Sequence, residues 1–318
     1  VILVTGASGL IGRHLVARLL AEEQPVRVLL PLHGGRSYAH LDWLNSVPVV
    51  DGTVQDAEAL YASMADVHTV YHLASAQWWG RRRDLDHIDL EGTRNLVTAA
   101  RSARIGRLIV MSHLGAAPSS AFPLLRAKGQ VEELVRNSGL AYTIIRSGIV
   151  FGPEDRFVNG IAMALRANRF FFLQPGAGDG LLHPIFINDL IEALFRTLEA
   201  LHTVDQVLEI GGPETVTFDE MLRTVMRVSR TQRTIVHLPP YVMRTLNANL
   251  RRVFPRWPVT PQWFDYMASN RTAPAGALYD TFGIRPQRFE DTLLTYMPRR
   301  RYGREYTRAL LRRRVGHE

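Results

Sequence analysis

The chain opens "VILVTGASGLIGRHLVARLL", residues 1–20, and this stretch decides the fold. Val1 to Val4 form an apolar run of strand type. Gly6, Gly9 and Gly12 then follow in G-x-x-G-x-x-G spacing. Leu15, Leu19 and Leu20 recur with helical period behind them. Glycines between a buried strand and a helix allow a tight turn and a close backbone approach. The helix start they expose offers unpaired N–H groups to a pyrophosphate. The pattern is that of a dinucleotide site.

Strand-like and helix-like segments continue to alternate downstream. "PVRVLL", "VPVVDG", "TVYHLAS", "RLIVMS" and "AYTIIRSGIVFG" read as strands, with "AEALYASMA" and "GTRNLVTAARSA" as helices between them. Such alternation implies a parallel sheet with helices on both faces. Past residue 152 the rhythm loosens. "HPIFINDLIEALFRTLE" and "VLEIGG" still contribute a strand each, Thr217 stands where a helix N-cap belongs, and 236–270 is Pro- and Arg-rich and reads as mainly helical. The expectation is an α/β Rossmann-type doubly wound parallel sheet with a smaller C-terminal α/β lobe and a basic C-terminal tail. The dinucleotide-binding core spans 1–152, the remaining strands and lobe 153–297, and a basic amphipathic tail 298–318.

The 318 residues are 46% hydrophobic and 21% charged, enough for a real core. No apolar run approaches the roughly 18 residues of a membrane helix, and no signal peptide is legible. The chain opens inside a strand without an initiator Met, so residues upstream of Val1 remain open. Without Cys there are no disulfides or thiolate metal sites, and no metal site is read here. The net charge is +8, of which +6 lies in residues 298–318: eight Arg against Glu305 and Glu318. Coiled into a helix, this tail would carry Tyr302, Tyr306 and Leu310 on one face and Arg304, Arg308 and Arg312 on another, which suits an anionic membrane surface or an acidic partner. The near-neutral remainder argues against nucleic acid. The Trp78-Trp79-Arg81-Arg82-Arg83 loop is a second candidate contact with a partner subunit or lipid headgroups.

Only one lysine occurs among 38 basic residues. A composition that uses Arg wherever a positive charge suffices has kept a compact ammonium at Lys128. At the end of the second strand the acid that would accept from a ribose 2′-hydroxyl is absent, while Arg13, His33 and Arg36 lie near. This favours NADP(H) over NAD(H).

Taken together, "TGASGLIGRHL", "DLEGTRNLVTAA", "RLIVMSHLGA", "AKGQVEELVRNSGLAYTIIRSGIVFGPEDRF", "HPIFINDLIEAL" and "LEIGGPETVTFDEM" resemble the atypical, epimerase-like short-chain dehydrogenase/reductases. The likeness is to the branch holding the accessory Rossmann subunit of respiratory complex I and NAD(P)-binding proteins of photosynthetic bacteria and plastids. The resemblance implies that Gly6, Ser8, Gly9, Leu10, Ile11 and Gly12 lie under the pyrophosphate. It puts Thr53 and Val54 beside the adenine, Leu73, Ala74 and Ser75 along the cofactor, and Ser112 and Lys128 at the nicotinamide ribose. Ser147, Gly148 and Ile149 would pass the nicotinamide amide.

Catalytic relatives place a tyrosine four residues before the lysine, and here that position is Leu124, which has no proton to give. Ser112 and His113 are the remaining catalytic candidates. Half of the pair is kept, so the resemblance implies a largely non-catalytic NAD(P)(H)-binding accessory or assembly subunit of a bacterial membrane-bound electron-transfer or photosynthetic complex. Such a subunit would be cytoplasmic and peripheral. Two other readings stay open: an NADPH-dependent reductase or isomerase of a quinone- or isoprenoid-like substrate, and an NADP(H)-sensing regulator.

Overall fold

The computed structural model describes residues 1–32, 38–76, 82–253, 264, 270–300 and 302. The first half runs β1 (Ile2–Thr5), α1 (Leu10–Ala21), β2 (Val26–Leu30), β3 (Val49–Asp51), α2 (Ala57–Ser63), β4 (Thr69–His72), α3 (Arg82–Asp84), a π-type segment (Leu85–Glu91), α4 (Gly92–Ser102), β5 (Arg107–His113), α5 (Pro123–Arg136) and β6 (Tyr142–Ser147). The second half adds β7 (Val150–Phe151), α6 (Val158–Ala167), β8 (Phe171–Pro175), β9 (Leu181–Leu182), β10 (Ile185–Phe186), α7 (Ile187–Arg196), β11 (Gln206–Ile210), β12 (Val216–Thr217), α8 (Phe218–Val228), β13 (Thr234–Leu238), α9 (Pro240–Val253), α10 (Ala277–Phe282) and α11 (Phe289–Tyr296).

Seven strands make one parallel sheet in the order β11-β6-β5-β4-β1-β2-β3. The chain winds one way from β1 to β3 and the other way from β4 to β11. The direction reverses between β1 and β4, and ligands of open α/β sheets bind beyond the strand ends at such a point. Both sheet faces are covered. Val4, Tyr71, Ile109 and Ile145 share one core with Leu15 of α1 and Leu190 of α7. Leu3, Val70, Leu108 and Ile144 share the other with Leu60, Leu96 and Val131. Strands buried on both faces lose polar alternation, which is why "VILV" and "RLIV" read as continuous apolar runs.

Three two-stranded pairs complete the C-terminal part: β10 with β7, β12 with β9, and β13 with β8. Thr217 caps α8 as expected. Its Oγ1 accepts from Glu220 N at 3.1 Å while the Glu220 carboxylate accepts from Thr217 N at 2.7 Å, a reciprocal pair that satisfies two otherwise unpaired donors. The helical expectation for 236–270 needs correction at its start, because 234–238 is a strand. Thr234, Ile235 and Val236 are β-branched and pair in parallel with Phe171, Phe172 and Leu173, and this pairing outweighs the helical signal that follows. The tail beyond Tyr302 and the loop residues Trp78, Trp79 and Arg81 lie outside the described residues. Among the described residues no helix is long and apolar enough to cross a membrane.

Candidate nucleotide site

The glycine turn sits at the switch point. Gly6 has φ +71°, and a Cβ there would lie 2.6 Å from the backbone of Leu73 and Ala74 at the exit of β4. A Cβ on Gly12 would lie 2.3 Å from the Gly6 carbonyl. These two glycines are therefore required by the protein's own packing. Gly9 differs. It N-caps α1 with no side-chain cap, and its Cβ would meet only the Gly6 carbonyl, at 3.2 Å. Its bareness leaves the first N–H groups of α1 open, and no acid stands in that turn to repel an anion.

Pro123 starts α5 at a position where a missing N–H costs nothing. Leu124, Lys128 and Glu132 then recur every four residues on its buried face. Their fates differ. Leu124 is fully buried in the apolar core. Lys128 Nζ lies 3.0 Å from Asp89 Oδ1 and 3.5 Å from the Met111 carbonyl, with both ionic side chains buried. Asp89 comes from the π-type segment and also accepts from Ser75 Oγ at 2.7 Å and Ala76 N at 2.9 Å. The lysine's partner thus ties the β4 exit loop to α5.

His72 continues this buried network. Its ring contacts Thr5 Oγ1 at 2.8 Å and Thr93 Oγ1 at 3.0 Å, while Thr93 donates to the Asp89 carbonyl. With the Thr93 proton so used, His72 Nε2–H donates and Nδ1 accepts. Burial, helped by Lys128, lowers its pKa to about 4, so the ring is neutral.

Ser112, which the resemblance puts at the nicotinamide ribose, has its hydroxyl engaged inside the protein. Successive strand residues face opposite sides. Ser112 Oγ donates to Glu132 Oε1 at 2.5 Å, and Glu132 in turn receives both arms of Arg146, at 2.9 and 2.7 Å. Arg146 also reaches Glu209 at 2.9 Å. Ser112 therefore belongs to a structural set among α5, β6 and β11. His113 faces the other way and is buried. Desolvation first, then Lys128 and Arg271, holds its pKa well below the usual histidine value.

Across the register from His113 stands Ser147. It is buried, and its Oγ has no hydrogen-bond partner among the described residues. A Cβ on Gly148 would lie 1.8 Å from the His183 carbonyl, so this glycine is set by packing against the segment before β10. His183 itself bridges Gly212 O at 2.9 Å and Ala273 N at 3.0 Å, fastening residues 270–273 to the sheet end. Ile149 is core. Val54 is also buried, packed over Gly92, and Thr53 Oγ1 accepts from Gln55 N at 3.2 Å.

Of the cations read at the ribose end, His33 and Arg36 lie outside the described residues. Arg13 forms an ion pair with Glu154, which the sequence reading left out. Asp51, at the end of β3, was also left out, and its Oδ1 accepts from Leu32 N at 2.7 Å. Asp89 was legible in "DLEGTRNLV" as an acid opening an apolar helix. Glu132 was legible as an acid one turn beyond Lys128. Glu154 carried no comparable local signal.

Residues 6–158 match the family described as NAD(P)H-binding. The chain is 29% identical over 251 residues to the NADH dehydrogenase [ubiquinone] 1 alpha subcomplex subunit 9 of Arabidopsis thaliana, covering 77% of this chain and 62% of that protein. It is 24% identical to the NADH-ubiquinone oxidoreductase 40 kDa subunit of Neurospora crassa, covering 80% and 67%. The chain thus spans about two thirds of these relatives. The UDP-glucose 4-epimerase of Thermotoga maritima, solved with UDP-glucose, superposes with a TM-score of 0.72 at 19% identity over 98% of this chain and 99% of that one. The UDP-glucuronic acid 4-epimerase of Bacillus cereus, solved with its sugar nucleotide and NAD, gives 0.71 at 20% identity over 96% and 99%. The sequence resemblance is borne out: residues 6–158 match an NAD(P)H-binding domain, and the relatives named here are subunits of NADH–ubiquinone oxidoreductase, complex I.

Proposed function

We propose that this homologue of complex I accessory subunits binds one NAD(P)(H) as a non-catalytic accessory or assembly subunit of a bacterial membrane-bound electron-transfer complex, respiratory or photosynthetic. The observation that carries this reading is the contrast on α5. Lys128 is held ready by Asp89, while the preceding turn buries Leu124 where a proton donor would have to stand. The residues present fit a dinucleotide. Gly6–Gly12 and the start of α1 would take the pyrophosphate, Leu73–Ser75 the cofactor's flank, and Lys128 the ribose, since an ammonium has three donors and Asp89 and the Met111 carbonyl take two. Ser147, Gly148 and Ile149 would line the nicotinamide end, where the buried, unpartnered Ser147 Oγ supports a ligand amide as its partner. The nicotinamide, when bound, supplies hydride chemistry, and the residues around it hold it without moving a proton.

NADP(H) is proposed over NAD(H) because no acid follows β2 directly and Asp51 is engaged by Leu32 N. Binding the folded state alone stabilises it by mass action, which gives a bound cofactor a structural use. The proposed setting is peripheral, on the cytoplasmic face of the membrane, with contacts through the tail and the Trp78–Arg83 loop. Native purification from membranes, with mass spectrometry of co-purifying chains and released nucleotide, tests this. A fixed set of membrane subunits with stoichiometric NADP is expected. A lone protein that consumes NADPH would favour the reductase reading, whose support is a neutral His113 near Lys128 and Ser147.

A further inference from the structure

The charge of the body is less even than its total suggests. Residues 156–178 and 221–264 contain eleven Arg and no Asp or Glu, so the rest of the body outside the tail is −9. Residues 156–178 and 221–253 belong to the C-terminal lobe around β8, β13 and α9.

The same lobe concentrates exposed apolar side chains. Phe170, Phe171, Val236, Tyr241 and Leu246 are five of the ten large hydrophobics exposed among the described residues, and Phe170 and Tyr241 are 75% and 73% exposed. Their placement is regular. In the parallel β8–β13 pair, Phe171 aligns with Thr234 and Leu173 with Val236 on one side, while Phe172 and Ile235 turn to the core. On α9, Tyr241, Arg244 and Arg252 lie within one stripe of helical spacing, and all three are exposed. Arg169 and Arg230, both exposed, flank the strand pair. Phe170 precedes one end of β8, and Pro240, next to Tyr241, lies against Gly176 just past the other. Five strand residues at about 3.3 Å each set these aromatics roughly 17 Å apart. An open cleft of about 460 Å³ lined by Gly176, Ala177, His237, Leu238 and Pro239 lies at the end that leads to Tyr241.

Exposed aromatics set among arginines, with acids such as Asp219 and Glu290 taken up by Arg223 and Arg227, match an anionic lipid interface: the rings enter the headgroup boundary and the guanidinium groups meet phosphates. An acidic protein surface would satisfy the arginines without calling for aromatics as exposed as Phe170. The lobe is also continuous with the basic tail. Tyr302 OH donates to Asn159 Oδ1 at 2.7 Å at the start of α6, and Arg166 and Arg169 lie at its end, ten residues or about 15 Å along the axis.

We propose that the β8–β13–α9 face of the C-terminal lobe docks on an anionic membrane surface, with Phe170 and Tyr241 as interfacial anchors and Arg169, Arg230 and Arg244 as phosphate contacts. This deepens the peripheral-membrane part of the functional reading and rests on it.

The test is co-sedimentation of the full chain with vesicles of phosphatidylcholine alone or with added phosphatidylglycerol, at low and high salt. The wild-type protein partitions onto the anionic vesicles and is released by salt. Phe170→Ser with Tyr241→Ser lowers the partition at least about tenfold, while Phe170→Trp preserves it. Each of Arg169→Gln, Arg230→Gln and Arg244→Gln lowers it by up to about fivefold. Equal partition of wild type and the double serine variant overturns the proposal and leaves the tail as the contact. So does equal binding to neutral and anionic vesicles, or no vesicle binding beside capture of an acidic protein through this face. Nucleotide titration of the same samples separates the two readings: absent NAD(P)(H) binding in the wild type defeats the cofactor reading whatever the vesicles show.

Discussion

Lys128 Nζ and Asp89 Oδ1 stand 3.0 Å apart with both side chains buried, one at the middle of α5 and the other on the π-type segment before α4. The only lysine of the chain is therefore half of an internal ion pair as well as a candidate cofactor ligand. The pair joins the β4 exit loop to α5, because Asp89 also holds Ser75 and Ala76.

Removing one partner should cost more than removing both. Lys128→Met leaves a buried carboxylate without its cation, and a loss of about 3–5 kcal/mol is expected. Adding Asp89→Asn should recover much of it, which a double-mutant cycle in urea would measure. Lys128→Arg forces a broader fork into the same space and should weaken nucleotide binding markedly, and titration at fixed salt checks this.

The three glycines of the turn should separate by readout. Gly12→Ala puts a Cβ 2.3 Å from the Gly6 carbonyl and should destabilise the fold itself. Gly9→Ala meets its nearest atom at 3.2 Å, so folding should change by less than about 1 kcal/mol while nucleotide affinity falls. Thermal melts with and without cofactor distinguish the two effects.

Ser112→Ala should leave nucleotide affinity within about twofold, because its hydroxyl serves Glu132. Ser147→Ala should reduce affinity with little effect on the melt, since its Oγ has no protein partner to lose. One hydrogen bond of this kind is worth roughly tenfold in binding.

Stability should fall in mild acid. His72, held neutral with its pKa near 4, and His113, held well below the usual histidine value by burial, Lys128 and Arg271, bind protons more readily unfolded than folded. Their contribution is full above the ordinary histidine value near 6.5 and falls below it, the share of His72 being lost as pH drops through about 4. Asp155 has the opposite sign. Burial raises its pKa to about 7 against four N–H contacts, so its stabilising share fades as pH rises from about 4 to 7. His72→Asn should flatten the acid side of a melting profile, and Asp155→Asn the side toward neutrality.

The sheet and the glycine turn were legible because buried parallel strands and a strand–turn–helix switch leave strong local periodicity. The polar chemistry behind them was less so. The tie of Ser112 to Glu132 was not legible because strand alternation fixes a side chain's face only once the register is known. Glu132, one turn beyond Lys128, and Asp89, inside a quoted motif, were visible as acids, but their partners lie on other elements and no spacing joins them. The Arg13–Glu154 pair spans 141 positions and has no local signature. β13 was missed because its short β-branched run leads, through only Pro239, straight into α9.

The central claim is that the chain holds NAD(P)(H) without turning it over. One measurement addresses it most directly: titrate the purified chain with NADPH by calorimetry, then follow the saturated complex at 340 nm with quinone- and isoprenoid-type acceptors present. The account predicts one nucleotide per chain and an absorbance that does not decay beyond the protein-free control. Steady acceptor-dependent oxidation abolished by His113→Ala would contradict it, as would failure to bind either nicotinamide nucleotide.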